Sequence, residues 1–582
     1  MSSHQKKNTF YGAAAILTVS TILVKIIGAI YKMPLAALLP DAAYGDFNAA
    51  YNIYAFFLTI STAGLPVALS KTVSETHALG RYNQKERVFR VAFAAFLVMG
   101  VLSFVGLSVF SRFMATHVIG NEKAVYCVLA LAPAVLCACC CSAFRGYAQG
   151  HLNMLPTAVS QIIEALCKLL LGLTLAIIIM HTAIQPDDLR DRLAAAGGLL
   201  GVSVGCVLAL IFLFVNHART KRRQALPAHD VPDGSGKILS ALLRLAIPIT
   251  LSSCTMSIVT LIDTNLVNNQ LKDVFAAIEG GLTGINNSVL DIFPKAAALL
   301  QDKVAGLAAD PASGIVPVLD AARSMYGTYS KTMSVYNLPF SLMVPLTACI
   351  VPAVSACITR RDRLGAHRVT ESAMRISALV ALPCGLGLFA LGGPIIYLVT
   401  IGNVDTAIAG PLLSILGIAS IFVCIQVVAA SILQANGIVN LPIITVVIGG
   451  VVKILVNYTL VGDPRIMIIG APVGTLCCFI VVSVLNLVII KRSIPYPPRY
   501  GVVFFKPFLA AAVMAAAAWA CHGLLARFLY GSFVKSALAT LLAIVVGAAV
   551  YLIMVLVLHV ISKEDLELMP AGEKIAKILH IK

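Results

Sequence analysis

Long apolar runs, each closed by charge, proline or glycine, recur along the whole 582-residue chain. Runs of this length outlast a typical buried core helix and match the roughly 20 residues needed to cross a bilayer. They predict about fourteen spans, near 8–33, 45–70, 88–111, 124–147, 157–180, 196–217, 241–268, 333–358, 373–399, 409–434, 442–461, 466–490, 503–525 and 534–560. One stretch breaks the rhythm. Residues 269–332 are too many for an ordinary connection, and Val289–Leu300 alternates apolar and polar positions without the length to span. That pattern predicts extracytoplasmic or interfacial short helices, with a re-entrant element as the alternative.

The pattern also repeats. Gln149-Gly150-His151-Leu152-Asn153-Met154-Leu155-Pro156, followed by Lys168 in an apolar run, returns as Asn436-Gly437-Ile438-Val439-Asn440-Leu441-Pro442, followed by Lys453. The offset drifts only from 287 at the glycines to 285 at the lysines, and Leu65-Pro66-Val67-Ala68 echoes as Val351-Pro352-Ala353-Val354 at nearly the same offset. Internal duplication in so apolar a chain indicates a transporter built from two halves. Six spans per half is an even number, so both copies enter the membrane in the same direction and are expected as parallel repeats, with Lys168 and Lys453 at similar depth. The expected organisation is an N-terminal six-helix lobe at 1–225, a cytoplasmic linker at 226–240, a second six-helix lobe at 241–492, two additional helices at 493–562 and a cytoplasmic tail at 563–582. The basic, then Pro/Gly-rich stretch Asn216–Lys237 reads as a flexible tether.

Composition agrees. The chain is 59% hydrophobic and 12% charged, about half the charged share of a soluble protein, which makes it an all-α polytopic membrane protein. The net charge of +17 does not indicate nucleic acid, because the cations fall in short loops between spans. Lys71, Arg81, Lys85, Arg87 and Arg90, then Arg219–Arg223, Arg360–Arg368 and Lys491-Arg492, occupy alternate loops and place both termini in the cytoplasm. The fifteen cysteines, Cys137 and Cys139–Cys141 among them, sit mostly in apolar stretches as small hydrophobes. No zinc spacing, disulfide framework or enzyme signature stands in the sequence, and no catalytic activity is expected.

Ionisable residues inside spans are costly and therefore informative. Lys25 lies in the middle of the first span, whereas Lys32 is near its outer end and within snorkelling reach of water. Glu164 and Lys168 are spaced i, i+4 with the acid first, which permits a self-neutralised structural pair or a place beside a cavity. Lys453 has Gly449 one turn earlier instead of an acid, and Asn457 one turn later on the same face. Asp263, in Leu261-Ile262-Asp263-Thr264-Asn265, suits a hard cation, a proton or a lysine counter-ion. The Gly-x-x-Asn loops have a local explanation: glycine ends one helix, asparagine caps the next and proline follows.

With Lys25-Ile26-Ile27-Gly28, the duplicated loops, Tyr326-Gly327, Asn337-Leu338-Pro339 and Val351-Pro352, the chain resembles the polysaccharide transport and stage V sporulation protein B family over residues 6–560. That family stands with the lipid II flippases, oligosaccharide-lipid flippases and multidrug and toxic compound extrusion transporters. The resemblance implies two lobes around a central cavity and alternating access for a polyprenyl-pyrophosphate-linked saccharide. It also implies cavity roles for Lys25 and, displaced by one position, Lys32, and a sodium site using Asp263 and Asn457.

The resulting expectation is a flippase for a lipid-linked cell-wall precursor, lipid II first, in the bacterial cytoplasmic membrane. Lys25, Lys32, Lys168 and Lys453 are expected to bind substrate; Asp263, Asn265 and Asn457 to couple an ion. No cofactor is expected, sodium and proton coupling both stay open, and the protein is expected to act as a monomer among membrane lipids. A cation-coupled multidrug exporter is the competing expectation, and a component of a glycan-assembly complex the third.

Overall fold

The computed structural model describes residues 3–279 and 316–560, apart from 120–121, 152, 224–229, 360, 439, 464, 496 and 530–531. The described residues are helical, with no strand among them. Among them, twelve helical stretches have the length and apolarity to cross a membrane. They begin with Val19–Leu38 and Asp41–His77 and end with Tyr500–Phe528 and Phe533–Val557. Helices Ser235–Glu279 and Val316–Thr359, 45 and 44 residues long, coincide with the two remaining expected spans. They also absorb both ends of the anomalous stretch, since 269–279 extends one helix and 316–332 begins the other. The Val289–Leu300 alternation lies outside the described residues.

By internal contacts the chain divides into two compact units, Met1–Asn265 and Leu266–Lys582. The first contains α1 (Ser3–Leu38), α2 (Asp41–Thr62), α3 (Gly64–Ala78), α4 (Tyr82–Val109), α5 (Val125–Gly150), α6 (Leu155–His181), α7 (Asp187–Arg223) and the stretch of α8 (Ser235–Glu279) up to Asn265. The sequence places α8 at the head of the second lobe; its contacts up to Asn265 are with the first unit. The reason is the α2–α3 junction: a Cβ on Gly64 would stand 2.1 Å from the Ala246 carbonyl oxygen, so only glycine lets α8 approach so closely. Central in this unit is α5, packed against α2, α3, α4 and α7. Its small residues Cys139, Cys141 and Ala143 are buried and admit these neighbours.

The expected flexible tether is fastened at its second half. Helix α4 begins without a side-chain cap of its own, and its exposed N–H groups need an acceptor. Asp230 supplies both oxygens: Asn83 N–H donates to Oδ1 at 2.9 Å and Gln84 N–H to Oδ2 at 2.8 Å. Desolvation raises the Asp230 carboxyl, but the backbone donors and the nearby Arg81 charge together outweigh it and hold the group below the usual value. Gln84 Nε2 donates to Asp233 at 2.8 Å, and the Asp233 N–H donates back to Gln84 Oε1.

The second unit contains α9 (Val316–Thr359), α10 (Arg363–Ala390), α11 (Gly392–Val399), α12 (Thr406–Ala435), α13 (Asn440–Val461), α14 (Gly470–Ser493), α15 (Tyr500–Phe528) and α16 (Phe533–Val557). Here α12 is central, against α9, α10 and α14. The buried share is 72% for both the α5 and the α12 spans, and each is the fourth span of its half. One expected span, 373–399, is broken at Leu391 into α10 and α11. Helices α15 and α16 pack on each other, and α15 on α10, as an addition to this unit.

Candidate functional site

In the first unit, α6 and α7 meet through glycine. A Cβ on Gly201 would lie 2.4 Å from the Gly172 Cα, and one on Gly172 would lie 2.6 Å from the Gly198 carbonyl oxygen. Such small-residue contact lets backbones approach where no hydrophobic force favours association. At this contact α6 widens into a π turn, Lys168–Gly172; π bulges of one turn recur at functional positions. Tyr31, fully buried on α1, fixes the third wall by donating its hydroxyl to the Gly198 carbonyl at 2.9 Å.

The π turn begins at Lys168, whose Nζ stands 4.9 Å from the Tyr31 ring centroid and 4.6 Å from that of Tyr51. Lys32 Nζ stands 5.6 Å from the same Tyr51 ring. Lys25 lies within electrostatic reach of both Lys32 and Lys168. Three of the four lysines picked out as substrate-binding thus lie in one unit within electrostatic reach of one another, two of them against the Tyr31 and Tyr51 rings. Cation–π contacts are worth roughly 0.5–2 kcal/mol each, which holds the ammonium groups without neutralising them. Among the described residues no carboxylate forms an ion pair with any of the three. Like charges held together in a low dielectric repel, and a multivalent anion relieves that repulsion.

Glu164 does not supply that anion to Lys168. Its Oε1 accepts from Arg145 of α5 at 2.8 Å, while Arg145 Nε donates to the fully buried Ser160 hydroxyl at 2.9 Å. The planar guanidinium reaches two α6 side chains at once, which a lysine ammonium does not match. The i, i+4 pair that the spacing permitted does not form: Glu164 pairs with Arg145, and Lys168 faces the tyrosines.

Asp263 and Thr264 are buried on α8. Thr264 Oγ1 accepts from Asn52 Nδ2 at 3.2 Å and donates to the Thr260 carbonyl at 2.9 Å. Asn265, grouped with Asp263 in the sequence, turns elsewhere: its amide donates to the His117 carbonyl at 2.6 Å. Positions i and i+2 of a helix do not share a face.

In the second unit, Lys453 and Asn457 are buried on α13, with Thr445 and Gly449 on the same stripe. The stripe faces α14. Thr445 Oγ1 donates to Asn486 Oδ1 at 2.8 Å, and a Cβ on Gly474 would fall 1.8 Å from Asn457 Oδ1. Gly449, noted in the sequence as the missing acid, is a packing residue whose Cβ would meet Val482 at 2.3 Å. No group of three or more His, Cys, Asp or Glu side chains able to hold a metal occurs among the described residues.

The two Gly-x-x-Asn loops differ inside. Gly437 has φ +81° with open space around it, the left-handed residue of a helix end. Gly150 instead permits close approach, since its Cβ would meet Val73 at 2.7 Å. Sequence reasoning missed Arg145, Tyr31 and Tyr51, and also Lys331, 1% exposed on α9, whose Nζ donates to the Asn403 carbonyl at 3.2 Å. The adjacency Tyr31-Lys32 was the available signal for the aromatic wall.

Comparison with known proteins bears on this arrangement. The family described as "Polysaccharide biosynthesis protein" matches residues 12–357, and "Lipid II flippase MurJ" matches residues 321–562. The lipid II flippase MurJ of Bacillus subtilis (strain 168) is 24% identical over 573 residues, 95% of each chain. Stage V sporulation protein B of the same organism is 22% identical, covering 97% of this chain and 98% of the relative. A solved lipid II flippase MurJ in an inward closed conformation superposes with a TM-score of 0.63 at 14% identity, covering 93% of this chain and 98% of that one. These matches set the protein among multi-pass membrane flippases and transporters rather than enzymes, and the match over 12–357 alone spans more than half of its length. The chain belongs to the polysaccharide biosynthesis protein family.

Proposed function

We propose that the protein moves a polyprenyl-pyrophosphate-linked cell-wall precursor, lipid II first, across the bacterial cytoplasmic membrane by alternating access, with both termini cytoplasmic. The observation that carries this reading is the gathering of Lys32 and Lys168 against Tyr31 and Tyr51, with Lys25 within electrostatic reach of both lysines. A pyrophosphate carries about two negative charges, and fixed ammonium groups substitute for its hydration inside the bilayer. The lipid tail stays in the hydrocarbon while the headgroup passes. Lys453, from the matching position of the second half, completes the proposed substrate set.

A net positive cavity feels the membrane potential at roughly 2.3 kcal/mol per charge per 100 mV, enough to reset the empty carrier. Asp263 and Asn457 are proposed to couple an ion, sodium or a proton. Asn265 serves as a helix-end contact in this reading, since its amide is committed to His117.

The test is flipping of labelled lipid II in proteoliposomes. Lys25→Ala and Lys168→Ala are expected to slow it roughly 10- to 100-fold, the loss of one charge-assisted contact of about 1.5–3 kcal/mol. Unimpaired flipping in both variants would sink the site assignment. A sodium gradient that changes the wild-type rate but not that of Asp263→Asn supports ion coupling through Asp263. A multidrug exporter for organic cations would repel its own substrate from three lysines, so drug resistance conferred by this protein would favour that class instead.

A further inference from the structure

Each half carries the same turn after its second span, and the two copies are filled differently. At the end of α3, Arg81 N–H bonds the Thr76 carbonyl and Gly80 N–H bonds that of His77, with Gly80 at φ +70°. At the end of α9, Asp362 N–H bonds the Cys357 carbonyl and Arg361 N–H bonds that of Ile358, with Arg361 at φ +57°. This is the double hydrogen-bonded helix end whose left-handed position favours glycine. The second half puts arginine there, against the local preference of the backbone. A residue held in such a conformation is a reason to look for what it holds.

In the first half the space beyond the turn is taken by carboxylates of the chain itself. Asp230 caps α4, and Asp233 accepts from Gln84 and pairs with Arg81 at 3.8 Å. In the second half α10 is capped by its own Asp362, whose Oδ1 accepts from Gly365 N–H at 2.8 Å. The segment following α14, which corresponds to the one carrying Asp230, passes as apolar Ile494-Pro495. Between them lies a cavity of about 370 Å³, lined by Arg361, Asp362, Arg363, His367, Asn436 and Ile494 among others, with the Asp362 carboxylate held by the Gly365 N–H. That volume is in the range of small-molecule sites, ~300–1,000 Å³. His367 is engaged with Glu371 at 3.3 Å. Both backbones are hydrogen-bonded in the turn, but neither the Arg361 nor the Arg363 guanidinium has a hydrogen bond or ion pair with another described residue.

We propose that this cavity binds a phosphate-bearing molecule through Arg361 and Arg363, the external counterpart of the carboxylates that the first half provides internally. Two guanidinium groups suit phosphate oxygens by their donor geometry. An anionic phospholipid headgroup and a soluble phosphomonoester offer the same chemistry at this end of the helices.

The test uses the full-length protein in phosphatidylcholine nanodiscs, titrated with glycerol 3-phosphate, and in discs containing phosphatidylglycerol. Binding of the soluble phosphate, or a raised unfolding midpoint with phosphatidylglycerol alone, supports the proposal and tells the two sources apart. Arg361→Gly is the informative variant, because glycine suits the turn. It is expected to leave the unliganded midpoint no lower than wild type while weakening binding at least tenfold. Arg363→Gln is expected to weaken binding similarly, whereas Lys491→Gln, outside the cavity, leaves it unchanged. Wild-type protein indifferent to both probes, or Arg361→Gly and Arg363→Gln binding as wild type does, overturns the proposal. Phosphate binding that appears only after removal of residues 561–582 overturns it too, assigning the cavity to the acidic Glu564–Glu567 stretch of the chain itself.

Discussion

Replacing Gly201 by alanine tests the packing on which the lysine site rests. The new Cβ would stand 2.4 Å from the Gly172 Cα and 2.5 Å from its nitrogen, where ordinary contact begins at 3.4 Å. Both obstructing atoms are backbone, so α6 and α7 must separate by about 1 Å. Overpacking of this kind costs roughly 1–3 kcal/mol. The separation also pulls Gly198 away from the Tyr31 hydroxyl, now at 2.9 Å, at a cost of about 0.5–1.5 kcal/mol. Together they predict a loss of about 1.5–4.5 kcal/mol, read as a lowered unfolding midpoint in detergent, with weaker binding of the proposed substrate, lipid II, because Tyr31 also faces Lys168. Gly106→Ala on α4 is the control. Nothing lies within 4 Å of its added Cβ, and alanine gains up to ~1 kcal/mol in a helix interior. If Gly201→Ala matches wild type in stability and binding, close approach of α6 and α7 is not what positions the lysine, and the reasoning fails.

A double-mutant cycle between Arg145 and Glu164 should return a coupling of about 1–3 kcal/mol, and the cycle between Glu164 and Lys168 less than about 0.5 kcal/mol; the reverse order would restore the i, i+4 pair. Asp230→Ala removes the acceptor for two α4 N–H groups and should cost roughly 1 kcal/mol, as loss of a helix cap does. Limited proteolysis of the connector should quicken with it, and Asp230→Asn should recover much of the loss. His151, whose pKa is lowered by burial and then by Lys85, His77 and His217, gives a pH prediction. With its folded value below the unfolded one of about 6.5, the unfolded chain binds more protons, so stability is present above that pH and lost as the pH falls below it. His151→Gln should flatten the unfolding midpoint between pH 6.5 and pH 5; an unchanged slope would show that His151 is not the source.

The spans were readable because the bilayer imposes one length and one polarity on every segment that crosses it. The same rule hid the lengths of α8 and α9, whose polar ends at 269–279 and 316–332 continue as helix where hydropathy stops reporting. It also hid the break at Leu391, after which Gly392 packs against Ser414 and the Gly410 carbonyl while the apolar run continues. At the site, the lysines were visible because charge inside a span is rare. Their partners were not: which of Glu164's two cationic candidates it meets depends on the approach of α5 to α6, a contact across 19 residues of sequence. The duplicated glycines show the same limit, since one serves a left-handed turn and the other a close approach, and the letter is identical.

The π turn at Lys168–Gly172 has a consequence for chain length. A π bulge amounts to one residue more than the helix needs, and in a regular helix each residue turns the remainder by about 100°. Deleting one residue almost anywhere in α6 would therefore swing the Ser160 and Glu164 face, or the Gly172 contact, away from its partner. Deleting one within the turn relaxes it to an ordinary helix and leaves both flanks facing as before. The tolerated deletion and the lysine proposed to meet substrate share the same five residues, so a relative one residue shorter here would keep the fold and lose the angle at which its cation meets the tyrosines.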